Sequence, residues 1–150
     1  MMIQRASVVT AILLLIVAAP VFGEGSAAGR IKLAAGSVTI VRASAPLAAQ
    51  AGQTLFEGDV LRTGPDGRVG VTLKDDTRVS LGPSSEVRLD RFRYAPAERQ
   101  LGVVLQIARG VVAYVSGRIA KLAPDTIRIE TPSAILGVRG TTLAIRVDEK

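Results

Sequence analysis

Three apolar-polar-apolar triplets recur at intervals of eight residues near the middle of this chain, and they limit its fold more than any other feature. The triplets are residues 71–73, 79–81 and 87–89, each with Val first and Leu third. Side chains of a strand alternate between its two faces, so an even step of eight keeps these Val and Leu residues on one face. The pattern predicts short strands that lie side by side and bury a shared apolar face.

The same step of eight continues through apolar positions to the C-terminal region, at residues 95, 103, 111, 119, 127, 135 and 143. Turn-forming sequences separate the apolar runs: Gly-Pro-Asp-Gly at 64–67, Asp-Asp-Thr at 75–77 and Gly-Pro-Ser-Ser at 82–85. Gly, Pro and β-branched residues interrupt the windows in which a helix could form. We therefore predict a single all-β domain of short stacked strands, either β-solenoid-like with parallel strands or sandwich-like with antiparallel strands.

The centre of the core is predicted in two strongly apolar strands, residues 101–107 and 110–115. Residues 95–100 precede them and contain Pro, Glu, Arg and Gln. This segment is predicted to be a longer loop or a helical turn.

The N-terminal segment has the layout of a secretory signal peptide. Residues 6–22 are almost entirely apolar and follow a short segment whose one charge is Arg5. The alternative is an uncleaved anchor helix, because about 17 to 20 apolar residues can span a bilayer. We predict an N-terminal signal-peptide helix at 1–23, a linker or first strand at 24–35, a β domain at 36–147 and a C-terminal tail at 148–150.

Composition argues against most enzyme classes, because the chain contains no Cys and no His. Ser-His-Asp and Cys-His relays, disulfides and the usual zinc sites are thereby excluded. Two pairs of carboxylates, Glu57 with Asp59 and Asp75 with Asp76, have the chemistry for glycoside hydrolysis or Ca²⁺ binding. Each pair falls at a predicted turn, where acidic residues are favoured for backbone reasons. We predict no catalytic residue, no cofactor and no metal.

The formal net charge of +6 first suggests an anionic partner. Removal of the leader with Arg5 leaves 18 basic and 13 acidic residues, a net charge of +5. The basic residues are dispersed along an exported chain, so nucleic acid is not the expected partner. Weak contact with an anionic polymer is a further expectation, and membrane contact is expected only through an uncleaved leader.

Three blocks of sequence occur in an order that resembles the FecR domain family of periplasmic signalling proteins. The first is the Gly-Asp turn that leads to Thr-Gly at 58–64, and the second is the strand, Asp-rich turn and strand at 71–79. The third is Thr-Pro at 131–132 followed by Val-Arg-Gly-Thr at 138–141. The resemblance covers about residues 36–147.

The resemblance implies a non-catalytic binding or signalling module in the periplasm with an envelope protein as partner. Family regulators of iron-siderophore uptake combine a cytoplasmic anti-sigma segment, a membrane helix and a periplasmic FecR domain. Because this chain starts with a leader and ends soon after the third block, we expect a stand-alone FecR-like protein without direct sigma-factor control. The alternative is a structural envelope protein that associates with the cell wall or with an anionic polymer.

The candidate partner-binding residues are Arg139, Thr141 and Arg118. Glycines flank Arg139 in the segment 137–141, an arrangement that could hold an anion against backbone N–H groups. The alternative is a bulge or bend between two strands, with Arg139 capping carbonyl groups or pairing with a carboxylate such as Glu130.

Overall fold

The computed structural model of the protein describes residues 26–149, and the described chain consists mainly of β-strands. It contains one short helix, α1 (Arg118–Leu122), and 3-10 turns at Pro96–Glu98 and Pro124–Thr126. The strands are β1 (Ala27–Ala35), β2 (Val38–Arg42), β3 (Ala45–Ala48), β4 (Thr54–Phe56), β5 (Val60–Thr63), β6 (Arg68–Leu73), β7 (Arg78–Leu81), β8 (Glu86–Ala95), β9 (Gln100–Val115), β10 (Ile127–Glu130), β11 (Ile135–Gly137) and β12 (Thr142–Val147).

All twelve strands join one curled sheet around a single core. Its main path runs in the order β3-β2-β5-β8-β9-β7-β6-β1-β4, and β10, β11 and β12 attach beside β9. Within residues 26–149 every strand pairing is antiparallel except that of β10 with β9. The predicted all-β single domain is confirmed, and the antiparallel alternative is the one found.

The eight-residue repeat is confirmed where it is clearest. Val71, Val79 and Val87 are each 2% to 3% exposed, and the Leu residues two positions later are equally buried. These residues lie on β6, β7 and β8, whose polar residues at the intervening positions point away from the core. Alternation along each strand therefore builds one continuous apolar layer.

The repeat fails at Val111 because β9 reverses its inside and outside faces after Ile107. It holds again at Ile119 and Ile127, which are 0% and 2% exposed. Glu86 pairs with Arg109, whereas the adjacent Val87 pairs with Ile107, so Ala108 is an extra residue in a β-bulge. Odd-numbered residues face the core before the bulge, and even-numbered residues face it afterwards. Val111, predicted to be inside, is thus 38% exposed, and the predicted strands 101–107 and 110–115 form one bent strand.

The register prediction is also wrong at Ile135, which lies on β11 and is 67% exposed. This strand pairs only with β10, and no other described strand covers it, so all three of its residues are exposed.

The 3-10 turn within residues 95–100 confirms the predicted loop or helical turn.

Helix α1 was not expected from the pattern, and it carries Arg118 together with the buried Ile119 and Ala120. The predicted leader helix at 1–23 lies outside the described residues. Among residues 26–149, no helix combines the length and apolar character of a membrane span.

Gly110 and Ser85 fix the bend of β9. Gly110 has a φ of +94°, and a Cβ atom there would lie 2.1 Å from the Ser85 hydroxyl oxygen. That hydroxyl accepts a hydrogen bond from the Val111 N–H at 3.0 Å and donates toward the Pro83 carbonyl at 3.1 Å. The fully buried Ser85 therefore replaces strand pairing at the point where the ladder is interrupted.

We expect Gly110→Ala to lower the free energy of unfolding by roughly 2 kcal/mol, because it adds backbone strain and displaces Ser85. Urea denaturation followed by circular dichroism measures the change. Gly137→Ala is the matched control, since no atom lies within 4 Å of a Cβ built there. Equal unfolding midpoints for the two variants would contradict the proposed role of Gly110.

Candidate functional site

The Gly-Asp turn of the first block holds β2 and β4 together. Asp59 is 1% exposed, and both of its carboxylate oxygens accept hydrogen bonds from Arg42, from Nε at 2.9 Å and from Nη2 at 2.8 Å. The Phe56 N–H also donates to this carboxylate at 2.8 Å. The Arg42 guanidinium stacks on the Phe56 ring, 4.5 Å from its centroid, and donates to the Thr54 carbonyl. Asp59 is thus fully occupied by structural contacts.

Glu57 also serves the fold. Its carboxylate accepts the Phe92 N–H at 3.0 Å and forms an ion pair with Arg93. Glu57 and Asp59 therefore contact different strands through the same turn. Both carboxylates are occupied by contacts within the fold. In a glycosidase, by contrast, the two carboxyl groups face a shared substrate as general acid and base.

The Asp-Asp-Thr turn of the second block organises the start of α1. Asp75 is fully buried, and its carboxylate accepts hydrogen bonds from the Thr77 N–H at 3.1 Å, the Thr77 hydroxyl at 2.7 Å and the Ile119 N–H at 3.3 Å. Its carbonyl accepts the Arg118 N–H at 2.7 Å. Gly117 allows this approach, because a Cβ there would lie 2.3 Å from the Asp75 carbonyl oxygen. The turn therefore fixes where Arg118 emerges.

Tyr114 lies in the core beside this turn and is fully buried. Burial raises the pKa of Tyr114 above its ordinary value, because the phenolate would lose its hydration. Tyr114 is therefore a core residue, in agreement with the predicted position of residues 110–115 at the centre of the core.

Arg118 is the first predicted site residue, and its side chain is 64% exposed. It forms an ion pair with Asp76, whose Oδ2 lies 3.0 Å from Arg118 Nε. A hydrogen bond to Tyr94 and the nearby Asp76 carboxylate hold the pKa of Arg118 above its ordinary value. The guanidinium is held in place by these two residues while it faces solvent.

The Val-Arg-Gly-Thr block links β11 to β12. Val138 is 2% exposed and anchors the segment, and Gly140 turns the chain with a φ of +57°. Thr141 is exposed, and its backbone exchanges hydrogen bonds with Ser116, whose hydroxyl accepts the Thr141 N–H at 3.2 Å. The block is thus the bend between two strands that was one of the two sequence interpretations.

Arg139 projects from this bend and is 78% exposed. It pairs with Asp125 of the 3-10 turn after α1, with Nη2 and Oδ1 2.7 Å apart. The suggested pairing with Glu130 is wrong. Glu130 lies on β10, where it accepts a hydrogen bond from Gln106 Nε2 at 3.2 Å and lies 3.9 Å from Arg128.

A shallow groove of about 320 Å³ brings Thr141 beside α1. It is lined by Val115, Ser116, Gly117, Ala120, Lys121, Gly140, Thr141 and Thr142. Arg118 belongs to the same helix, and Arg139 contacts the turn that follows it. The three predicted residues therefore border one region, residues 116–126 with residues 138–142, although Arg139 does not line the groove.

The sequence did not reveal the residues that hold this region in place. Asp76, Tyr94 and Asp125 contact the two arginines from distant points in the chain. The one available signal was the interruption of the strand pattern between Gly117 and Pro124. Within residues 26–149, no group of three or more acidic residues is arranged to hold a metal ion.

The FecR protein family model matches residues 59–150, which is more than half of the chain. The chain belongs to the FecR family. No curated protein and no solved structure matches it. FecR proteins are generally non-catalytic regulators that signal in the cell envelope. The match begins at Asp59, and strands β1 to β4 precede it in the same sheet.

We expect Asp75→Asn to lower the free energy of unfolding by about 1 to 3 kcal/mol, because it replaces a buried acceptor of three hydrogen bonds with an amide. Asp76→Asn is the control, since it removes the same charge from an exposed position of the same turn. Chemical denaturation of both variants tests the difference. A larger loss in Asp76→Asn would show that the Asp75 contacts do not support the turn.

Proposed function

We propose that this protein is a non-catalytic FecR-family module of the periplasm that binds another envelope protein through the region around α1 and the Val-Arg-Gly-Thr block. The family membership supports an envelope signalling role. We choose this surface because of the position of Arg139. It is a highly exposed cation on a segment that is anchored by the buried Val138. The burial of Val138 fixes the segment to the core while the neighbouring Arg139 side chain faces solvent.

Exposed apolar side chains accompany the two arginines. Three of the six large exposed hydrophobic residues of the described chain are Leu122 on α1 and Ile135 and Leu136 on β11. Leu122 comes three residues before Asp125, and Leu136 comes three residues before Arg139, the two residues of the ion pair. Arg is among the residues that contribute most to binding at protein interfaces, and exposed apolar side chains gain free energy when a partner removes them from water. We call Arg118, Leu122, Ile135, Leu136 and Arg139 the partner surface.

β11 adds a second means of recognition. It pairs with β10 on one side, and within residues 26–149 no strand occupies its other edge. An open edge offers backbone N–H and carbonyl groups to an incoming strand. A partner could therefore combine backbone pairing at β11 with contacts to Arg139.

Photo-crosslinking in intact cells tests the partner surface. A photoreactive amino acid replaces Leu122 or Ile135 in the full chain, and we expect a defined protein adduct from both positions. Leu47 on β3 is the control, because it is an exposed Leu outside this surface. Adducts that are equally abundant from Leu47, or absent from both test positions, would overturn the proposal.

Arg139→Glu should reduce the adduct at Ile135, because it reverses the charge and repels Asp125. Arg88→Glu makes the same charge change on β8 and should leave the adduct unchanged. Circular dichroism of the purified variants shows whether each has folded.

Export is tested separately with a C-terminal fusion to a reporter enzyme that is active only outside the cytoplasm. We expect activity from the full chain and none after deletion of residues 1–23, because those residues have the layout of a signal peptide. Activity that survives the deletion would contradict the proposed periplasmic location.

A further inference from the structure

One half of the sheet carries positive charge without any negative charge. It is formed by β1, β6, β7, residues 110–115 of β9, and β12, and these segments contain no Asp and no Glu. Their charged residues are all basic and all exposed: Arg30, Lys32, Arg68, Arg78 and Arg146. We call these five residues the cationic face.

Pairing between strands places the cationic residues around a flat centre. In the middle row, Gly70 lies opposite Ser80, Ser80 opposite Ala113, and Ala113 opposite Ala144. Arg78 lies in the row on one side of this centre, and Arg68 and Arg146 lie in the row on the other side. Strands are about 4.8 Å apart, so three strand spacings separate Arg68 from Arg146 by about 14 Å. Because the side chains of this middle row are small, the guanidinium groups of Arg68, Arg78 and Arg146 project beyond them from the surface of the sheet.

The other half of the sheet is different, because most of its arginines form ion pairs with carboxylates, although the exposed Arg91 forms none with the residues of 26–149. The ion pairs there join Arg62 to Glu86 at 2.9 Å, Arg88 to Asp90 at 3.5 Å and Arg128 to Glu130 at 3.9 Å. Among residues 26–149, no carboxylate forms an ion pair with Arg30, Arg68, Arg78 or Arg146. The nearest acidic residues along the chain, Asp66, Asp76 and Asp148, lie beyond the strand ends, and Asp76 forms an ion pair with Arg118. The positive potential of the cationic face is therefore not neutralised internally.

We propose that the cationic face binds the headgroup layer of an anionic phospholipid surface. Arginine matches phosphate oxygens in geometry as well as in charge. Two apolar side chains, Leu33 at 57% and Val111 at 38% exposure, lie on the same face and can enter the boundary between headgroups and acyl chains. This face shares no residue with the partner surface, and its proposed role does not depend on the partner's identity.

A lipid surface fits this face better than an acidic sugar polymer or an acidic protein. Sugar-binding platforms use aromatic side chains, and the one aromatic residue in these strands, Tyr114, is buried in the core. Five strands with about five residues each span roughly 20 by 17 Å. This area is less than half of the roughly 800 Å² per partner of a standard protein interface. Many weak contacts to a fluid, repeating array of phosphates need no larger area.

Vesicle co-sedimentation with the purified mature chain tests the proposal. We expect binding to phosphatidylcholine vesicles that contain about one third phosphatidylglycerol, and no binding to pure phosphatidylcholine. Binding should weaken strongly between about 50 mM and about 300 mM salt, because exposed charges are screened. The double variant R68Q/R146Q should bind roughly tenfold more weakly or worse.

The matched control is R88Q/R128Q, which removes the same two charges from the other half of the sheet. We expect it to bind almost as well as the unaltered chain. Equal losses in both double variants would overturn the proposal, since only net charge would then matter. Failure to bind the anionic vesicles would also overturn it, as would binding to soluble alginate without binding to vesicles. Crosslinking at Leu122 and Ile135 is read out independently, so either proposal can fail alone.

Discussion

The bent strand β9 is the element on which the other strands depend. Its first half lies between β8 and β10, and its second half lies between β7 and β12, so among the described strands it alone pairs with strands of both halves of the sheet. The change from one half to the other requires the bulge at Ala108 and the left-handed conformation of Gly110. Ser85 supplies the hydrogen bonds that the interrupted ladder lacks. The core of this small domain, which has no disulfides, therefore rests on a local backbone conformation.

Local sequence patterns predicted most of the strands and turns, because alternation and turn chemistry act within a few residues. The step of eight placed Val71, Val79 and Val87 correctly, and the turns at 64–67 and 75–77 lie between the expected strands. The reversal of β9 could not be predicted in this way. The segments before Arg109 and after Gly110 are mostly apolar, so composition does not show which of their residues face inward.

The site was predictable only in part, for a related reason. The exposed Arg139 and Thr141 could be selected from a motif, but the partners that position the site come from elsewhere in the chain. Asp125 is 14 residues from Arg139, and the buried Asp75 meets the Ile119 N–H across 44 residues. Such contacts depend on the tertiary fold, so they cannot be predicted from the periodicity of apolar residues along the sequence. Helix α1 is short enough that its formation depends on the Asp75 turn more than on its own propensity.

The three sequence blocks that carry the family resemblance have different physical roles. Asp59 and Asp75 are buried, and their carboxylates are saturated by hydrogen bonds within the fold. The third block buries Val138 and exposes Arg139. The first two blocks therefore hold the fold together, while the third leaves Arg139 exposed to solvent beside Asp125.

The uneven distribution of ion pairs gives the domain an electrical polarity. In one half of the sheet most arginines are compensated by neighbouring carboxylates, and the other half has basic residues without such partners. A body with such a distribution experiences a torque in the field of any negatively charged surface, and this torque acts before contact is made. The molecule would thus arrive already oriented, with its compensated half turned toward the surrounding solution. Partners in solution would then meet the domain in a limited range of orientations. Fewer rotational encounters would be needed before a partner reaches the correct side of the domain.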